Sequence, residues 1–256
     1  MHKRVLTQIE ASMRAVGRQE RTVFSQPHFE IFISASQDDH LSFAVPLPTA
    51  PAELPSAVAD MQAAFARYNK RPRLEYIADL HPELAPALEQ AGLVCESRAP
   101  VMILDMAQLS SPPDPPPLAH YQTLTTADES FLKTFLVHQS IAYGGSGGEE
   151  AWGWLPNLQQ GLTNGAVMGA VLLQAGDMVS GAVIQIGEGI GELAGVWTAP
   201  THRQRGLAYA LCQQLLADYR AAGYPFCWLS AAEGAQRLYE KLGFAVVGTQ
   251  LNYGRP

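Results

Sequence analysis

The sequence predicts an α/β protein built from two units in tandem, and three observations carry that reading. Short apolar runs bounded by Gly and Pro alternate with apolar residues spaced three or four apart, so strands and helices succeed each other along the chain. Near the middle, Ser110-Ser111-Pro112-Pro113-Asp114-Pro115-Pro116-Pro117 breaks the succession. Prolines fix φ and lack an N–H, so this run cannot continue a helix or a central strand and favours an extended spacer. Finally, the two halves close on one plan. Pro72-Arg73-Leu74-Glu75-Tyr76 leads into a helix ending at Gly92, and Pro225-Phe226-Cys227-Trp228-Leu229 into one ending at Gly243; the prolines are offset by 153 positions and the glycines by 151. Offsets this close indicate a duplicated unit with a small indel; chance similarity of two strand–helix–strand units is the alternative. The expected division is 1–110, a spacer at 111–117 and 118–256. A proline-rich ligand for another protein is the other reading of the spacer.

At 256 residues the chain has room for one or two domains, and 47% hydrophobic against 16% charged residues is an ordinary globular balance. A formal net charge of −7 argues against a nucleic-acid partner held by bulk charge. An anionic ligand would need a local basic site. Cys95, Cys212 and Cys227 are too few and too scattered for a disulfide framework or a zinc site. Each is expected to pack as a small hydrophobe, and no metal is expected. No apolar run reaches membrane-spanning length, and no apolar h-region follows Met1-His2-Lys3-Arg4. A cytoplasmic protein without a membrane partner is the expectation.

Taken in order, Leu6, Ile9, Met13 and Val16 have helical spacing and predict an amphipathic first helix. Residues 29–34 and 41–45 read as strands, the second stopped by Pro46 and Pro48. Val58, Met61, Phe65 and Tyr68 mark a second helix with Ser56 as its N-cap. Residues 73–78 form a strand and 83–91 a helix, with Pro82 in its first turn and Gly92 at its C-cap. Two more strands follow, 94–97 and 101–106. Beyond the spacer come a strand at 120–124, a helix capped by Asp128 and running to Ile141, and a loop at 143–148. The loop is glycine-rich but lacks the Gly-Lys-Ser/Thr of a phosphate-binding loop; it is either a flexible connection or a mobile segment at a substrate entrance. A short helix at 150–160 holds Trp152 and Trp154. A three-strand meander occupies 166–173, 178–186 and 190–198, with turns at Ala175-Gly176-Asp177 and Gly187-Glu188-Gly189. A long helix, a strand at 226–230, a helix at 233–242 and strands at 244–247 and 250–253 complete the chain.

The most informative stretch is 190–219. A buried apolar strand ends at Pro200, and from Gly206 the period changes: Leu207, Leu211, Leu215 and Tyr219 form one helical stripe. Between them lies Arg203-Gln204-Arg205-Gly206-Leu207-Ala208. A helix N-terminus offers free N–H groups and a favourable dipole, small residues let a bulky anion approach, and two arginines add charge. The segment reads as a pyrophosphate cradle; the bare motif, without its context, reads first as an ordinary strand-to-helix turn with surface arginines. The corresponding loop of the first half, Pro46-Leu47-Pro48-Thr49-Ala50-Pro51-Ala52, is short of N–H donors. The first half is therefore expected to be a degenerate, non-catalytic copy, leaving one cofactor site per chain.

Arg203-x-x-Gly206-x-Ala208, the strand before it, the helix after it and the later Arg237-Leu238-Tyr239-Glu240-Lys241-Leu242-Gly243-Phe244 together resemble the GNAT superfamily of N-acetyltransferases, whose acyl-CoA signature is Gln/Arg-x-x-Gly-x-Gly/Ala. The resemblance is strong over 118–256 and weak over 1–110. It implies two GNAT-like domains in tandem, each a mixed, mostly antiparallel sheet flanked by helices. It also implies acetyl-CoA as cosubstrate. Backbone groups of Val196 and Thr198 would meet the pantetheine arm, and Arg203, Gln204, Arg205, Gly206, Leu207 and Ala208 would wrap the pyrophosphate. Many members carry an Asn at the start of the next helix; here Ala232 stands there, and Ser230 is expected to replace it in part.

Tyr239 stands at the family's general-acid position, facing the leaving thiolate; from the residues alone it is also a packed aromatic with a hydrogen-bonded hydroxyl. Glu192, 14 residues before Gly206, stands where some members carry the general base. Its alternative is an exposed strand-end carboxylate beside Gly191. Simple alternation puts Glu192, Ala194, Val196 and Thr198 on one face and Leu193, Gly195 and Trp197 on the other.

The implied function is transfer of an acetyl group from acetyl-CoA to a primary amine of a small molecule or peptide by direct attack, in a monomer or homodimer. A non-catalytic acyl-CoA-binding sensor is the alternative, and Glu192 and Tyr239 favour the enzyme. An aminoacyl transferase acting on charged tRNA is disfavoured by the acidic balance. Glu149, Glu150, Trp152 and Trp154 lie where such domains shape the acceptor site, although a plain amphipathic helix explains them equally. His138 and His202 are the histidines nearest to useful places.

Overall fold

The computed structural model describes residues 2–35, 41–110 and 119–255, so the proline-rich spacer 111–117 lies outside the described residues. The chain begins α1 (His2–Glu20), β1 (Thr22–Ser25), β2 (Phe29–Ile33), β3 (Phe43–Pro46), α2 (Leu54–Arg67), β4 (Arg73–Ile77), α3 (Leu84–Gln90) and β5 (Val94–Asp105). It continues β6 (Ala119–Thr123), α4 (Glu129–Ala142), α5 (Leu155–Asn164), β7 (Val167–Gln174), β8 (Asp177–Gly187) and β9 (Ile190–Thr198). Last come α6 (Leu207–Ala221), β10 (Phe226–Ser230), α7 (Gln236–Lys241) and β11 (Ala245–Gly254). No helix among the described residues is long and apolar enough to cross a membrane.

Two compact units result. One comprises Met1–Met102, Ser230–Gln236 and Val246–Pro256; the other comprises Ile103–Leu229 and Arg237–Ala245. The first unit takes up the C-terminal segment, which a division at the spacer places in the second. Its strands are ordered β1-β2-β3-β4-β11-β5. Pairing is antiparallel for β1–β2, β2–β3 and β4–β11, and parallel for β3–β4, through Ala44 and Leu74. Phe29, Ile31, Met61, Phe65, Tyr76 and Leu251 meet in its core. The second unit orders its strands β10-β9-β8-β7-β6, antiparallel except for β9–β10. Its core gathers Leu132, Phe135, Val171 and Trp197 against the helices. Both units are mixed, mostly antiparallel sheets flanked by helices. Both also repeat one motif, in which an antiparallel pair leads through a loop and a helix into a parallel strand: β2-β3-α2-β4 and β8-β9-α6-β10.

Periodicity located most elements because burial follows it. Leu6, Ile9, Met13 and Val16 are all buried, as are Leu207, Leu211, Leu215 and Tyr219. Both meander turns carry positive φ at two successive residues, Ala175 (51°) and Gly176 (94°), then Glu188 (52°) and Gly189 (74°). That is the type I′ geometry whose twist suits a two-residue hairpin. Asp128 caps α4, its side chain accepting from the Phe131 N–H at 3.1 Å.

Other expectations need correction. Ser56 is not an N-cap: α2 starts at Leu54 with a proline in its first turn, and the Ser56 hydroxyl donates to the Glu53 carbonyl at 2.9 Å. The two strands expected at 94–106 are one, because Pro100, though it has no N–H, still accepts from the Ala231 N–H at 3.0 Å. The last two strands are likewise one, held by the pairing of Gln250–Gly254 with Ile77–Arg73. Trp152 and Trp154 lie on a 3₁₀ turn, Glu149–Trp154, ahead of α5. The short, half-exposed β1 carries too little pattern to be read. Cys212 and Cys227 are buried, but Cys95 is exposed on the outer part of β5.

Candidate active site

β9 and β10 are the parallel pair of the second unit, and their pairing is confined to Gly191 with Cys227 and Glu192 with Trp228. Beyond Glu192, β9 goes on pairing with β8. Its other edge is left with peptide groups outside the ladder, which an extended ligand arm can use.

β9 also carries a bulge. Gly195 and Val196 together stand against the single Ala182, between the pairs Gly181–Trp197 and Val183–Ala194. Gly195 has φ 58°, left-handed backbone that favours glycine at the bulge. The bulge overturns simple alternation. Glu192, Ala194 and Trp197 pair with Gln185, Val183 and Gly181 on one face, while Leu193 and Thr198 pair with Ile184 and Ser180 on the other. Trp197, not Thr198, shares the face of Glu192. A glycine inside a strand is the sequence signal that marks such a bulge.

α4 covers the Glu192 face. Trp197 is 4% exposed and stacks on His138, with ring centroids 5.1 Å apart and planes at 12°. Desolvation holds the His138 imidazole below its ordinary range, so it is neutral at neutral pH. Tyr143 follows α4 directly, as its C-cap. Its ring is largely exposed, but its hydroxyl donates to the Val196 carbonyl at 3.3 Å. Desolvation of that hydroxyl, reinforced by Cys212 and Glu192, raises the phenol above its ordinary range.

Tyr239 sits on α7 and is buried. The Phe244 N–H closes the helix onto the Tyr239 carbonyl at 2.9 Å, just past Gly243 at φ 98°. Lys241 Nζ lies 4.6 Å from the centre of the Tyr209 ring and ties α7 to α6. Burial, then Cys212 and Tyr143, pushes the Tyr239 phenol far above its ordinary range. Tyr143 thus shares one electrostatic neighbourhood with Glu192 and with Tyr239. A phenol held this way keeps its proton at neutral pH.

The loop between β9 and α6 begins with a 3₁₀ turn, Pro200–His202. The Arg203 Nε then donates to the Thr198 carbonyl at 3.2 Å. Gln204 (φ 61°) and Gly206 (φ 77°) adopt left-handed backbone, and Arg203, Gln204, Arg205 and Gly206 are all exposed. No atom lies within 4 Å of a Cβ built on Gly206. The first intrahelical bond runs from the Ala210 N–H to the Gly206 carbonyl at 3.0 Å. The N–H groups of Leu207, Ala208 and Tyr209 therefore precede the ladder and are available to an anion. Two guanidinium groups beside a helix N-terminus suit phosphate oxygens. Ser230 is the last residue of β10. Trp152 is 36% exposed beneath Lys133 Nζ, 5.1 Å from its ring centre.

The second unit is thus an α/β domain in which a loop between parallel strands opens a helix. Residues 127–244 match the family model described as Acetyltransferase (GNAT) family, and this domain belongs to the GNAT superfamily. Among solved structures, the whole chain is similar to a GCN5-related N-acetyltransferase from Kribbella flavida, at 22% identity and a TM-score of 0.82, covering 98% of this chain and 96% of that one. A GCN5-related N-acetyltransferase from Sphaerobacter thermophilus matches at 16% identity and a TM-score of 0.70, covering 98% and 92%. A tandem GNAT protein from the clavulanic acid biosynthesis pathway matches at 11% identity and a TM-score of 0.64, covering 98% and 94%. At these identities the likeness is one of fold, and the fold is two GNAT-like domains in tandem. Comparison with curated proteins found no match.

Proposed function

We propose that the chain is an acetyl-CoA-dependent N-acetyltransferase that moves the acetyl group to a primary amine of a small molecule or peptide by direct attack. The observation that carries this reading is the convergence, within one unit, of the open edge of β9, the cradle opening α6 and the buried phenol of Tyr239. Acetyl-CoA, when bound, supplies an activated thioester. Arg203, Gln204, Arg205, Gly206, Leu207 and Ala208 hold the pyrophosphate. Val196 and Thr198 align the arm along β9; their carbonyls already accept from Tyr143 and Arg203, and each keeps a second lone pair. Glu192 accepts the proton of the attacking amine, and Tyr239 gives one to the departing thiolate. A cytoplasmic location belongs to the same proposal, which includes no metal, nucleic acid or membrane partner.

Two measurements test these roles separately. Glu192→Gln is expected to lower kcat/KM for the amine at least 10-fold and to abolish the acidic limb that reports the base. A pH profile that superimposes on wild type removes Glu192 from the mechanism. The double substitution Arg203→Gln, Arg205→Gln is expected to raise the KM for acetyl-CoA about 10-fold with kcat nearly unchanged, through loss of roughly 1–1.5 kcal/mol of exposed charge attraction. The difference from wild type should shrink in high salt. A salt-independent loss of kcat would contradict the assignment.

A further inference from the structure

We infer that the first unit carries a second ligand site, selective for a small carboxylic acid with an apolar body. A cavity of about 340 Å³ opens where the loop after β3 leads towards α2, the place the cradle takes in the repeated motif of the second unit. Its loop is poor in free N–H groups. Pro46, Pro48 and Pro51 have no N–H, the Leu47 N–H is bonded to the His28 carbonyl at 2.8 Å, and the Glu53 N–H to the Ala50 carbonyl at 2.9 Å. Polar recognition falls to side chains instead.

Three of these converge on the cavity wall. Glu10 is 4% exposed; its Oε1 lies 2.9 Å from His81 Nε2, and its Oε2 accepts from Arg14 Nη1 at 3.1 Å. The same Nη1 donates to the Pro46 carbonyl at 3.2 Å. A guanidinium has five N–H donors. Those on Nη1 are engaged, while Nε and both hydrogens of Nη2 have no partner among the described residues. That edge of the guanidinium takes a carboxylate through two parallel bonds.

The unspent capacity is therefore for an anionic acceptor. Lys3 and Glu83 add one charge of each sign to the lining, and the charge of Glu10 is already engaged by its own partners, so the free edge of Arg14 is what draws the anion. Phe29, Leu54, Leu80 and Leu84 supply apolar wall for the remainder of the ligand. The volume lies within the range of small-molecule sites, roughly 300–1,000 Å³. The inference stands on the first unit alone and does not depend on acetyl transfer in the second.

The test is calorimetric titration of the full chain with octanoate and 3-phenylpropanoate, using octanamide and 3-phenylpropanamide as uncharged controls. At least one acid is expected to bind saturably, at least 10-fold more tightly than its amide. Thr49→Trp, which narrows the cavity without touching the ionic group, is expected to abolish binding while shifting thermal unfolding by no more than a few degrees. Arg14→Lys is expected to weaken binding at least 10-fold. The inference is overturned if neither acid binds at millimolar concentration, if the amides bind equally well, or if binding survives Thr49→Trp in the folded variant. Competition by coenzyme A at the site blocked by Thr49→Trp would also overturn it, assigning the cavity to a nucleotide.

Discussion

Tyr239→Phe is expected to lower kcat for acetyl transfer about 10²- to 10³-fold, while the KM for acetyl-CoA changes by no more than about twofold. The substitution keeps the ring, its burial and its edge contact with Phe244, with centroids 6.1 Å apart. Only the hydroxyl is lost, so folding is preserved and the effect isolates the proton. Burial among Cys212 and Tyr143 holds the phenol far above its ordinary range. The acid therefore stays protonated through the assay range, and Tyr239 contributes no falling alkaline limb to kcat below about pH 10. Steady-state kinetics of wild type and variant across pH check both statements. A variant with wild-type kcat would remove Tyr239 from the proton path and leave it a packed aromatic.

Trp197→Ala is expected to destabilise the protein by about 3–5 kcal/mol, measured by denaturant unfolding. Trp197 is 4% exposed, stacks on His138 and meets Phe135 at 6.2 Å. Gly181 makes the fit possible, because a Cβ there would lie 2.6 Å from the indole and 2.8 Å from Phe135. Removing the indole leaves a cavity that the flanking sheet and α4 cannot fill without moving. Trp197→Phe is expected to cost far less, under about 1.5 kcal/mol. The indole N–H is buried without a hydrogen-bond partner among the described residues, so deleting it relieves an unmet donor. Equal losses for the two variants would mean that the ring contacts on the α4 face carry little stability.

Much of this was legible in the sequence because apolar spacing and burial have the same cause. The stripe Leu207, Leu211, Leu215, Tyr219 is buried throughout, and the Gly-containing turns at 175–176 and 188–189 adopt the backbone their residues suggest. The loop that opens α6 was legible because Pro200 ends the strand and Gly206 marks the change of period, both visible as residue types. What escaped depends on pairing across space. The bulge at Gly195 and Val196 exists only relative to Ala182 on β8, and it moves Trp197 onto the face of Glu192. Tyr143 acquires its contact with Val196 from the packing of α4 on β9, which no local pattern encodes. The pairing of β11 with β4 joins residues at opposite ends of the chain, so local reading placed the C-terminal strand with its sequence neighbours.

The central claim is that the second unit couples cofactor binding to chemistry on an amine. The most direct measurement incubates the protein with acetyl-CoA and a panel of small and peptide primary amines, and quantifies coenzyme A and acetylated amine by chromatography and mass spectrometry. Thiol reagents are avoided because Cys95 is exposed. The account predicts amine-dependent release of coenzyme A, matched one to one by acetylated product for at least one amine class and reduced at least 100-fold in Tyr239→Phe. Tight coenzyme A binding with release no faster than background hydrolysis across the whole panel would contradict it and make the second unit an acyl-CoA-binding module.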